Sequence, residues 1–77
     1  MRLLHEEYEH PAQVGRVGLS VFEQPGEGFL VTEERGGTTT VVKTLGLFEG
    51  REPALQRVRA REAELQAQRY TKVASAA

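Results

Sequence analysis

Apolar and polar residues alternate along the middle of the chain. Val17, Leu19 and Val21 fall on odd positions with Gly18, Ser20 and Phe22 between them, the two-residue period of a strand. Gln24-Pro25-Gly26-Glu27-Gly28 then interrupts the pattern with turn chemistry, because proline presets φ and glycine accepts positive φ. A second strand is expected over residues 29–34, with Phe29 and Val31 on one face. Arg35-Gly36-Gly37 reads as the next turn. Residues 38–45 are β-branched at six of eight positions, which favours a third strand. Short turns between successive strands make an antiparallel meander over residues 14–45.

From Pro53 the texture changes. Ala, Leu, Glu, Gln and Arg dominate up to Tyr70, and all are good helix formers apart from the aromatic. Proline suits a first turn, where its missing N–H would be unpaired in any case. Gly50 or Glu52 would hold the cap. A helix over residues 53–72 is expected to cross one face of the sheet. Its apolar stripe holds Ala54, Leu55, Val58 and Leu65, but Glu62 and Arg69 fall inside it, and a second strip holds Ala60, Ala63, Ala67 and Tyr70. Two readings follow. Glu62 and Arg69 run their methylenes along the sheet and reach water, or both strips are used, one for the sheet and one for a second copy. The polar residues 1–13 and the small residues 73–77 are expected to be an N-terminal segment and a frayed tail. The predicted fold is therefore α+β: a single small domain with a three-stranded antiparallel meander sheet packed by one C-terminal α-helix.

Composition narrows the functions available. The chain has 77 residues, no cysteine and a net charge of −1, so disulfides, thiolate nucleophiles and cysteine zinc sites are excluded. Of its 30 hydrophobic residues eight are alanine, which leaves a thin core and makes self-association a reasonable source of extra burial. No apolar run approaches the roughly 18 residues of a membrane span, and Glu6, Glu7 and Glu9 interrupt any leader-like pattern, so a cytoplasmic location without membrane contact is expected.

Candidate chemistry is sparse. His5 and His10 are the only histidines, and neither the i, i+4 spacing of a helical zinc site nor a third ligand accompanies them, so no metal or cofactor is expected. A serine nucleophile would need Ser20 beside His5 or His10 with a glutamate orienting the ring, and nothing in the spacing suggests it. The glycine-rich stretches match neither a phosphate loop nor a dinucleotide fingerprint. A non-catalytic role is expected. Charge is uneven: residues 1–50 carry −4 and residues 51–77 carry +3, so a neutral protein has a basic helix. Arg57 and Arg61, at i and i+4, fit either an anionic partner such as phosphate or a solvated face.

The order of elements resembles the WGR domain, a small module of poly(ADP-ribose) polymerases and short bacterial proteins. The resemblance runs from about residue 2 to residue 70. It rests on Leu3-Leu4-His5 at the start, the hairpin, and the threonine-rich strand into Lys43-Thr44-Leu45. Glu52-Pro53-Ala54 at the helix start and the closing Tyr70 complete it. The Trp-Gly-Arg signature itself is replaced by Glu34-Arg35-Gly36-Gly37. The resemblance implies a binding module contacting nucleic acid or a nucleic-acid-associated protein through Arg57, Arg61, Arg35 and Lys43. The alternative is a protein–protein interaction or homo-oligomerisation module using Ala60, Ala63, Ala67 and Tyr70.

Overall fold

The computed structural model describes residues 1–37 and 39–76. Its elements are β1 (Arg2–Glu9), β2 (Arg16–Gln24), β3 (Gly28–Arg35), β4 (Val41–Phe48), α1 (Arg51–Ala67) and β5 (Thr71–Ala76). The α+β class holds, but the sheet has five strands instead of three, in the order β4-β3-β2-β1-β5, every neighbouring pair antiparallel. Both additions come from the ends. The expected N-terminal segment is β1, and most of the expected tail is β5. The third strand begins at Val41, and Thr38 of the expectation lies outside the described residues.

Each addition has a physical reason. In β1, Leu4, Glu6 and Tyr8 share the face that meets the helix, and the charge at position 6 hides the alternation. β5 is exposed along its whole length and is held mainly by its ladder with β1, so its small residues need no apolar signal. It also ends the helix early. Arg69 takes a left-handed conformation (φ 74°), and the Tyr70 N–H bonds the Leu65 carbonyl at 2.9 Å while the Arg69 N–H bonds that of Gln66 at 3.0 Å. This paired closure is a Schellman C-cap with arginine where glycine is usual. At the other end Gly50 is the N-cap, with Pro53 in the first turn.

The helix must travel from one sheet edge to the other, because β4 precedes it and β5 follows it. Four inter-strand steps are about 19 Å, and 17 helical residues reach about 25 Å, so a diagonal crossing fits. Under the helix lie Tyr8, Val17, Leu19, Val21 and Val31 from the strands, sealed by Ala54, Val58, Leu65 and Tyr70. Phe29, Leu4, Leu45 and Phe48 close the rim. Among the described residues the opposite face of the sheet carries no helix. No helix among the described residues is long and apolar enough to cross a membrane.

Candidate functional site

Two glutamates are buried beneath the helix, and both are fully partnered. Glu33 on β3 is 3% exposed and takes the Arg61 guanidinium at 2.6 Å and that of Arg35 at 3.0 Å. Glu6 on β1 accepts Arg59 at 2.8 Å, Lys72 at 3.1 Å and the Ser75 hydroxyl at 3.1 Å. Beside it, Glu62 meets Lys72 at 2.7 Å and accepts the Tyr8 hydroxyl at 2.6 Å. Burial alone would raise the pKa of each of these carboxyls, but the neighbouring cations and hydrogen bonds outweigh it. All three are held below the ordinary glutamate range. Burial, then the Glu62 hydrogen bond and the two carboxylate charges, drives the Tyr8 hydroxyl the other way and keeps it protonated. These groups clamp α1 and β5 onto the sheet, and their charges are spent on each other.

This arrangement places the residues singled out in the sequence. Arg61 and Arg35 do converge, on Glu33, and Arg61 donates further to Glu64 at 2.9 Å. Their charge is matched inside the fold. Arg57 is half-buried and Lys43 exposed, and neither has an ion pair among the described residues. Ala60, Ala63 and Ala67 lie on the exposed side of the helix. Tyr70 leaves that strip: it is buried, its hydroxyl donates to Gln13 at 2.8 Å, and its ring meets that of His10 edge-on. Of the two readings of the helix stripe, the first does not hold for Glu62, which does not run out into water. It turns inward to Tyr8 and Lys72, while Arg69 lies past the helix end.

The helix-free face holds a contact that the sequence spacing did not suggest. His5 and Ser20 are direct cross-strand partners, with His5 Nδ1 2.6 Å from Ser20 Oγ and His5 Nε2 3.8 Å from Glu7 Oε2. Gly18 makes room for the ring, since a Cβ there would sit 3.0 Å from His5 Cε1. The order serine, imidazole, carboxylate has the connectivity of a nucleophilic triad. Its serine, however, is 1% exposed beneath the ring, so its Oγ is not presented to a substrate. The contact fixes β1 to β2. The signal that could have found it is the hairpin register: once Glu9 is set opposite Arg16, His5 falls opposite Ser20. Among the described residues no group of three or more potential ligands gathers as a metal site.

What the surface does present is backbone and apolar side chain at an open edge. β4 pairs only with β3, and Val41, Val42 and Leu47 are 60%, 59% and 55% exposed. On the helix-free face the register lines up Phe22, Leu30 and Leu47 as one apolar row reaching that edge. Comparison with protein-family models, with curated proteins and with solved structures gives no match.

Proposed function

We propose that the protein is a non-catalytic protein-interaction module that binds an extended strand along β4. The observation carrying this reading is the edge itself. An unpaired strand offers a row of N–H and C=O groups that template another strand, and side chains at alternate positions supply selectivity. Proteins blunt such edges with charge or proline, yet the eight residues of β4 contain a single charge, Lys43, and no proline. Of the four basic groups expected to hold nucleic acid, Arg35 and Arg61 favour this reading by their other engagement, an ion pair with Glu33; Arg59 and Lys72, beside them, are likewise paired with glutamate. With a pI of about 6.1, of the expected residues only Arg57 and Lys43 remain for phosphate contact.

A displayed library of random peptides, selected on the immobilised domain, tests the proposal. The expected winners are short, extended and β-branched, protect β4 amides from hydrogen exchange, and lose binding to Val42→Lys. Winners that map to the helix would overturn it. So would tight, steeply salt-dependent binding of labelled DNA that is abolished by Arg57→Ala with Lys43→Ala.

A further inference from the structure

The pattern of β4 fits one strand particularly well, which is β4 itself. Its register with β3 slips between Val31 and Thr32, leaving Leu45 as an extra residue. On the N-terminal side of this bulge Val41 and Lys43 face the helix side and Val42 the free side. Beyond it Gly46 and Phe48 face the helix side and Leu47 the free side. The bulge shifts the alternation by one residue, so residues 41–43 read from one end present the same sequence of faces as residues 46–48 read from the other.

We infer that a second copy of this chain docks on β4, the two strands pairing antiparallel about a two-fold axis so that Val41 faces Phe48, Val42 faces Leu47 and Lys43 faces Gly46. This rests on the strand-addition reading above and names its occupant. The pairing is isologous, as closed dimers require, and in these three pairs each residue lies on the same face as its mate, the axis passing between Thr44 and Leu45 where the two bulges meet. It sets apolar against apolar at both ends and gives the lysine a glycine for a neighbour. Of the other face-matched registers, those centred on Val42 and on Leu47 match only three residues of the strand, and the one centred on Lys43 would put two ammonium groups directly opposite, which is destabilising.

Charge favours the same choice. At the start of the edge, on the helix side, stands Lys43, exposed and without an ion pair among the described residues, whereas Arg35 one strand in is already paired with Glu33. At its finish stands Glu49, grouped with Glu23 and Glu27 around the β2–β3 turn. Antiparallel pairing sets the basic start of one copy beside the acidic finish of the other. It also continues the row Phe22, Leu30, Leu47 into the partner through its Val42. The far edge offers less: β5 exposes only Val73 among small residues, and the Lys72 ammonium is drawn inward. Three half-exposed apolar side chains per copy make a contact small beside the roughly 1,200–2,000 Å² of stable interfaces, so a weak, concentration-dependent dimer is expected.

The test combines mass with register. Sedimentation of the full chain from low micromolar to millimolar concentration is expected to show a monomer–dimer equilibrium that Val42→Lys weakens about tenfold or more, with unchanged circular dichroism. Two single-cysteine variants, Val42→Cys and Leu47→Cys, should form a disulfide when mixed under oxidant and not when either is alone, because five residues, about 17 Å, separate like positions. A monomer at every concentration overturns the dimer while leaving peptide binding at β4 standing. A dimer whose β4 amides exchange freely sits on another surface and overturns this inference, while the peptide selection alone decides the strand-addition reading. Cross-linking of Val42→Cys to itself overturns the register.

Discussion

The two faces of this sheet are built from the same five strands and are stabilised in different ways. On the covered face, apolar residues and charges are buried together, and each buried carboxylate is matched. Glu33 has Arg61 and Arg35, and Glu6 has Arg59, Lys72 and Ser75. On the free face, polar groups are buried by their neighbours in the sheet without a helix above them, and the matching is incomplete. Ser20 finds His5, but the Thr32 hydroxyl is buried without a partner. A short chain with few large apolar residues thus extends its core with ion pairs where a helix can supply cations. Elsewhere it leaves the sheet surface and edge to small polar and apolar groups. The expected consequence is that perturbing the covered face unfolds the protein, whereas perturbing the free face or the β4 edge leaves the fold and changes what it binds.

Acid makes the largest break, because it reaches three carboxylates at once. Glu6, Glu33 and Glu62 all have folded pKa values below the ordinary 4.5. The unfolded chain therefore takes up their protons at higher pH than the native one does. Their contribution is fully present above about pH 4.5 and is lost as pH falls through the lower, folded values. Urea midpoints measured between pH 7 and pH 2.5 should be flat down to about 4.5 and then fall steeply. A stability that stays level to pH 2.5 would show that these pairs add nothing to the fold.

A single substitution comes next. Glu33→Ala leaves Arg61, whose side chain is 15% exposed, facing Arg35 with no carboxylate between them. Removing one partner of a buried pair destabilises by about 3–5 kcal/mol, and the exposure of Arg35 and the Glu64 contact left to Arg61 place this variant at the lower end of that range. For a domain of this size that is most of its stability, and the variant is expected to be largely unfolded at 37 °C by circular dichroism. It should also lose part of the acid transition seen in the parent. A loss below 1 kcal/mol would mean that Arg61 and Arg35 reach water easily, and the contrast between the faces would shrink.

The same contrast explains how much of the molecule is legible in its sequence. β2, β3, β4 and the helix announce themselves, because alternation, β-branching and helix formers are local signals. β1 does not. Its inward residue at position 6 is a glutamate whose partners, Arg59 and Lys72, lie more than fifty residues away, so no window around it carries the reason for its burial. β5 is hidden differently: Ala74, Ser75 and Ala76 have low strand preference, and only the ladder with β1 extends them. The apparent defects of the helix were the clue. Glu62 in the apolar stripe, and the basic residues around it, read as solvated or phosphate-seeking when the sheet beneath is assumed to be apolar. Placed over Glu6, Tyr8 and Glu33 they are the other half of a core. The His5–Ser20 contact follows from the hairpin register, and that register can be read only once β1 is taken as a strand.

The smallest predicted effect has the opposite sign. Thr32 sits opposite Ser20 and Thr44 on the free face, 6% exposed, and its Oγ1 accepts and donates nothing among the described groups. A buried hydroxyl in that state costs roughly 1–3 kcal/mol relative to a satisfied one. Valine has nearly the same shape and an equal or better strand preference, so Thr32→Val is expected to stabilise the protein by up to about 1 kcal/mol, part of the gain being lost to imperfect packing of the methyl. Ser20→Ala, one strand over, should do the reverse and cost about 0.5–1.5 kcal/mol, because it strips His5 Nδ1 of its partner at 2.6 Å. Thermal melts of the two variants side by side decide the matter. If Thr32→Val also destabilises, the hydroxyl is satisfied in solution by water entering from the free face. That face would then be wetter, and less ready for a protein partner, than its exposed Leu47 and Val42 imply.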